Sequence, residues 1–262
     1  MEGSVRDRFR LVYLKSTESE KSNLNEPDLS PDSKEKGTTV SSSFGIPETL
    51  SSQTQLDQAI IDLKHSDPKL RKLAIQYLEK GPPSVAIPLL QESLSDRNPD
   101  VRAQAVLALV KAKDPDLNRL LKKYLKDSSP KVKIAALRGI FQSQEGVDLN
   151  ILIQLLSDES PWVRRKMATL LGWTQTEGVL PILAELSKDQ DARVRKAALF
   201  SLITLYPEES EGRLMEAMAD PEPSLRKWAK RILEKRLAKR ITIRTGPGFS
   251  PQRTGGLGNP NL

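Results

Sequence analysis

Between residues 53 and 238 the apolar positions follow a helical rhythm that itself repeats. Six aliphatic residues, Leu70, Val101, Val132, Val163, Val194 and Leu225, stand 31 residues apart with no insertion anywhere. Four residues after each come Ala74, Ala105, Ala136, Met167, Ala198 and Ala229, and eight after each come Leu78, Leu109, Ile140, Leu171, Leu202 and Leu233. Positions i, i+4 and i+8 lie on one stripe of an α-helix. An earlier helix in each unit supplies a second stripe, as in Val85, Leu89 and Leu94, or Leu149, Leu152 and Leu156. A helix pair alone would leave an apolar face in water, so the pairs must stack on one another. The pattern predicts an all-α chain, an α-α superhelix of about six 31-residue helix pairs.

Helix-start chemistry repeats with the same period. Asp67, Asn98, Ser129, Ser160 and Asp191 precede the second helices, where their side-chain oxygens are expected to accept from free amides of the first turn. Pro68, Pro99, Pro130 and Pro161 follow four of them. At that first helical position a missing N–H costs nothing and the fixed φ suits the helix. The last unit keeps Pro223 behind the poorer cap Glu222. Small residues at the i+4 position let helices approach closely, so Met167 demands a local widening or a small neighbour.

The flanks differ in kind. Residues 16–52 are Ser, Thr, Pro and charged residues with apolar ones scattered singly, too little to offset the entropy of ordering. Residues 1–52 therefore read as a mostly disordered lead, 53–238 as the repeat array, and 239–262 as a flexible basic tail rich in Gly and Pro. The net charge of +7 is unevenly placed: residues 226–262 carry ten Lys or Arg against one Glu, whereas 53–225 sum to zero. The absence of Cys excludes disulfides, thiolate metal sites and Cys nucleophiles. No apolar run approaches the roughly 20 residues of a membrane helix, and the first fifteen residues are too charged for a secretory signal. A cytoplasmic protein is expected.

The run Asp–x–x–Pro–x–Val–Arg–x–x–Ala, seen from Asp96 to Ala105, together with the Leu171-Gly172 close, resembles the HEAT superfamily. The resemblance is to its short variant, the phycobilisome-lyase-type HEAT-like repeat, and it covers residues from about 53 to 238. It implies a HEAT-like solenoid in which loop Asp and helix Arg form a ladder between successive repeats. By position the ladder falls on Asp96, Asp127, Asp158, Asp189 and Asp220, with Arg71, Arg102, Arg164, Arg195 and Arg226. Lys133 replaces Arg in the third repeat and cannot make a bidentate contact; His65 stands where the first repeat should carry Asp. The related repeat enzyme deoxyhypusine hydroxylase holds two irons on repeated His-Glu pairs. This chain has one histidine, so no metal site and no cofactor are expected. Five regularly spaced Asp/Arg copies mean architecture rather than acid–base machinery, and the glycines of the tail are not set between a strand and a helix as a phosphate loop requires.

Two regions are candidates for a partner. Trp162 sits one residue before an anchor, at a position otherwise solvent-facing, beside Arg164, Arg165 and Lys166; packing against the next loop is the equal alternative. Trp173, at a helix end, reads as a core plug, and Trp228 as a cap on the last layer. The second region is the basic amphipathic run from Arg226, with Lys227, Lys230, Arg231, Lys235, Arg236, Lys239 and Arg240 around a stripe of Leu225, Ala229, Ile232, Leu233 and Leu237. It serves as a capping repeat with a polar outer face, as a docking site for an acidic protein, an anionic membrane surface or nucleic acid, or as both. The expected function is a non-catalytic scaffold or assembly factor holding a protein partner on the concave face, as a monomer or in a hetero-oligomer. The resemblance adds a second reading, a bilin lyase or isomerase subunit or an antenna assembly or degradation factor, and this is the only enzymatic role it implies. Nucleic-acid binding through the basic C-terminal helix and tail is a third. The neutral array argues against it.

Overall fold

The computed structural model describes residues 52–143, 148–174 and 176–245, and these form twelve α-helices. The expected lead, up to residue 51, and residues 246–262 of the tail lie outside the described residues. In chain order the helices are α1 Ser52–Asp62, α2 Pro68–Leu78, α3 Pro83–Ser93, α4 Pro99–Ala112, α5 Leu117–Tyr124 and α6 Pro130–Gln142. They continue with α7 Leu149–Leu155, α8 Pro161–Leu171, α9 Leu180–Leu186, α10 Ala192–Leu205, α11 Ser210–Ala217 and α12 Pro223–Thr245. The chain divides into two compact units, one ending at Thr204 and the other beginning at Leu205.

In the first unit consecutive helices pair, α1 with α2, α3 with α4, α5 with α6 and α7 with α8. The second helices of successive pairs also pack side by side, α2 on α4, α4 on α6 and α6 on α8. The core between them is the repeated stripe. Ala74, Leu78, Val101, Ala105, Leu109, Val132 and Ala136 are buried, as are Val163, Leu171, Val194, Ala198 and Leu202. Met167 is buried completely among them. Gly139 and Gly172 mark the closest approaches. A Cβ on Gly139 would stand 2.6 Å from Leu121 Cδ2 and 2.8 Å from Val110 Cγ2, and one on Gly172 would stand 2.9 Å from Ser201 Cβ. In the second unit α11 packs on α12, and Leu214, Ala217, Leu225, Trp228 and Ala229 are buried.

Three of the expected caps close: Asp67, Asn98 and Asp191 accept from the amides of Lys69, Asp100 and Arg193, each at 2.8 Å. Ser129 and Ser160 do not use their hydroxyls this way. A serine Oγ is one bond nearer the backbone than an Asp or Asn Oδ, and here it leaves that ring open. Their own amides donate to Asp127 and Asp158 Oδ1, at 2.8 and 2.9 Å, as those of Asn98 and Asp191 do to Asp96 and Asp189.

The last helix departs from expectation twice. It runs through residues 239–245, past the boundary expected at 238, because no Gly or Pro interrupts the chain before Gly246. Leu237, assigned to the inward stripe, is 61% exposed. Leu225 and Ala229 are buried while Ile232 and Leu233 are only partly covered, so burial fades along the helix. Trp173 is also a correction: at 40% exposure it is no core plug. The tight contact is made by Gly172 beside it, against Ser201. Among the described residues no helix is long and apolar enough to cross a membrane.

Candidate functional site

The loop aspartates and helix arginines meet across successive pairs with a constant offset of 25 residues. Arg71 donates Nε and Nη2 to Asp96 Oδ2 and Oδ1 at 2.6 and 2.8 Å. Arg102 does the same to Asp127 at 3.0 and 2.9 Å, and Arg164 to Asp189 at 2.7 and 2.8 Å. Each Asp also binds back into its own loop, Oδ1 accepting the amide two residues on: Asn98, Ser129, Ser160, Asp191 and Glu222. Each Arg uses its remaining Nη1 on the carbonyl six residues earlier: His65, Asp96, Asp158, Asp189 and Asp220. One carboxylate and one guanidinium thus fix two loops and a helix together. Lys133 makes a single contact, Nζ to Asp158 Oδ2 at 2.7 Å. His65, in place of Asp, performs the local half of the task by accepting the Asp67 amide on Nδ1 at 3.0 Å.

The electrostatics follow. Burial opposes ionisation of Asp96. The hydrogen bonds from Arg71 and the Asn98 amide, with the charges of Arg71 and Arg97, outweigh it and hold the carboxyl below its ordinary value. Asp127 behaves alike, through Arg102, the Ser129 amide and Lys133. The carboxylate hydrogen bonds in turn hold Arg71, Arg102 and Arg164 still more firmly protonated. These groups are paired with one another.

Arg164 was expected both in the ladder and among the partner contacts. The structure buries it in the first role, 7% exposed, with Nε and Nη2 on Asp189 and Nη1 on the Asp158 and Glu159 carbonyls. Trp162 is half-buried. The guanidinium of Arg193, 31 residues on in the next pair, stacks 4.4 Å from its ring centroid, and that of Arg165 lies at 5.8 Å. Arg193 is itself held by Asp191, Nε to Oδ1 at 3.0 Å and Nη2 to Oδ2 at 2.7 Å. That hydrogen bond, opposed by burial, places the Asp191 carboxyl below its ordinary value. One face of the indole is therefore already covered. The same register is occupied in the earlier pairs by Asp100 and Lys131, paired at 2.6 Å.

Sequence reasoning missed a shallow groove across α2, α4 and α6. Its floor is Ala103, Leu107, Ile134 and Ala135, and its rim is Lys72, Asp100, Lys131 and Arg138. The signal was available: these residues stand at fixed distances before and after the anchors, on the side of the second helices away from the buried stripe.

On α12, Lys227, Lys230, Arg231 and Lys235 are exposed. Arg236 is not part of that open surface; its Nη1 donates to the Pro207 carbonyl at 3.0 Å and Ser210 Oγ at 3.1 Å, tying α12 to the start of α11. Lys239 and Arg240 continue the helix, but their side chains lie outside the described residues. Every buried side-chain nitrogen or oxygen among the described residues has a partner, and no three His, Cys, Asp or Glu side chains among them are grouped to hold a metal.

A family model for HEAT repeats matches residues 56–140 and 117–203. No curated protein matches the sequence. Among solved structures, the chain is similar to the complex of CpcE and CpcF of phycocyanin lyase from Nostoc sp., at 22% identity and TM-score 0.47, covering 78% of this chain and 79% of that one. It is also similar to a designed armadillo repeat protein in complex with the peptide (KR)4, at 20% identity and TM-score 0.46, covering 69% and 98%. An engineered protein gives 20% identity and TM-score 0.45, covering 68% and 97%.

Proposed function

This chain belongs to the HEAT-repeat family, and we propose that it works as a non-catalytic scaffold or assembly factor that holds a protein partner on the face of its second helices. The observation that carries this reading is the ladder. Three bidentate Arg–Asp pairs and one Lys–Asp pair, all at a 25-residue offset, hold successive second helices in one register. A surface so fixed presents its side chains at a constant repeat, which suits recognition of an extended partner with little ordering on the protein's side. The exposed cations of α12, among them Lys227, Lys230, Arg231 and Lys235, are assigned a second contact with an acidic protein surface. Affinity capture with the full chain in its native host is expected to return a protein in stoichiometric amount. Recovery of nucleic acid alone would defeat the reading. Replacing Lys227, Lys230 and Lys235 with Gln should weaken capture without loss of helix content.

A phycobilisome role, as a bilin lyase or isomerase subunit or as an antenna assembly or degradation factor, is the second reading. Its support is the repeat type carried by Asp96–Ala105 and Leu171-Gly172. Co-expression with phycobiliprotein subunits and bilin decides it: no chromophore attachment and no binding would remove it.

A further inference from the structure

The charge of the repeat array is sorted by face. Consider, in the first unit, the positions one before and two, three and six after each anchor. These are the positions that line the groove over α2, α4 and α6, and the same register extends to α8 and α10. Over the five repeats they hold eight Lys or Arg and one carboxylate, Asp100. The neutral total of residues 53–225 thus hides a positive face. Two of the eight are paired where they stand, Lys131 with Asp100 and Arg193 with Asp191, and Glu79 at the end of α2 accepts from Gln104 beside the groove. The other acids sit in the ladder, as with Asp96 and Asp127, and on the first helices and their connections, as with Asp57, Glu92, Asp116 and Glu185.

The face is not uniformly charged. Under Lys72 and Arg138 lies the aliphatic floor of Ala103, Leu107, Ile134 and Ala135, with Ala103, Ile134 and Ala135 buried and Leu107 half-buried. A cationic rim over an apolar floor matches a ligand that carries carboxylates and an aliphatic side chain together. A nucleic acid offers phosphates and flat bases, and bases want open aromatic platforms; the Trp162 ring already carries Arg193 at 4.4 Å. Neighbouring helices about 8–10 Å apart also match three residues of extended chain at roughly 3.3 Å each.

Resting on the scaffold reading above, we infer that the second-helix face of the first unit binds an extended acidic peptide segment that sets an aliphatic residue into the groove between α4 and α6. The probe is a fluorescein-labelled ten-residue peptide of Glu and Asp with Leu at every third position, followed by anisotropy with the full chain at physiological salt. Controls replace Leu with Ser, or the acids with Lys, and a single-stranded ten-nucleotide oligomer serves as the alternative anion. The acidic Leu peptide should bind at least about tenfold more tightly than the Lys and Ser versions. It should lose about tenfold with Lys72→Glu, an exposed residue outside the ladder, and gain with Asp100→Asn. Circular dichroism of both variants should match the parent. Equal binding of the Ser peptide, tighter binding of the oligomer, or indifference to Lys72→Glu would each overturn the inference. If capture returns a protein whose binding is unchanged by Lys72→Glu and is not displaced by the peptide, this inference falls and the scaffold reading stands. If capture returns no protein, the scaffold reading falls.

Discussion

Arg164 reaches across to Asp189, the loop carboxylate of the next helix pair, with two parallel hydrogen bonds of 2.7 and 2.8 Å, and closes its own loop through the Asp158 carbonyl at 2.6 Å. Both side chains are largely shielded from water. Arg164→Ala would leave Asp189 shielded and unpaired, and breaking such a pair costs about 3 kcal/mol or more. The measurement is the denaturation midpoint at fixed slope. A shift equivalent to less than about 1 kcal/mol would show the pair to be screened like a surface ion pair.

Lys133→Arg is expected to act in the opposite sense. The ammonium makes one contact with Asp158, whereas a guanidinium at that position can take both carboxylate oxygens and the carbonyl six residues back, as Arg102 and Arg164 do. One or two added charge-assisted bonds should stabilise by about 1 kcal/mol. A neutral or destabilising result would mean that the Lys133 site is too narrow for the fork.

Stability should fall on acidification in a defined window. Asp96 and Asp127 have carboxyl groups held below their ordinary values in the folded chain. A depressed folded-state value means that the contribution is present above the unfolded carboxylate range, near 4, and is lost as pH falls through the lower folded value. Urea midpoints are therefore expected to be level from about pH 5 to 7 and to decline below about pH 4. Asp96→Asn should be less stable at neutral pH and show a shallower decline; an unaltered slope would remove Asp96 as a contributor.

Gly172→Ala should be costly because the added methyl meets the Ser201 hydroxyl and, behind it, Ser201 Cβ at 2.9 Å, so turning the hydroxyl away does not clear the clash. Overpacking of this kind costs about 1–3 kcal/mol. Combining it with Ser201→Gly removes the obstacle, although it also removes the Ser201 hydroxyl bond to the Ala168 carbonyl. The double variant should be less destabilised than the sum of the singles, and strict additivity would place the clash elsewhere.

Leu225→Ala and Leu237→Ala separate the two ends of α12. Leu225 is 1% exposed and its truncation should cost about 2–4 kcal/mol. Leu237 stands in solvent and its truncation should stay within about 0.5 kcal/mol. A large effect at Leu237 would reveal packing that its exposure denies.

The helix pairs were legible in the chain because burial and period coincide: Val101, Ala105 and Leu109, read as one stripe, are one stripe. Leu237 failed for the same reason that Leu225 succeeded. Periodicity reports which residues share a face, and says nothing about where the neighbour that covers the face ends. The contact made by Trp162 was not legible in the chain, because Arg193 lies one whole repeat away and only the stacked geometry brings the two together. The groove was overlooked because charge was summed along the chain. Summation cancels Lys72 and Lys131 against Asp96 and Asp127, which point into the ladder.

The lone ammonium at residue 133 has a mechanical meaning. In a linear array each layer touches only its neighbours, so the strength of the whole is set interface by interface. Three of the junctions bridged in the first unit are fastened by a two-pronged clasp and one by a single prong, between α6 and the loop before α8. Partial opening is expected to start at that seam, and hydrogen exchange should find its amides losing protection before those on either side.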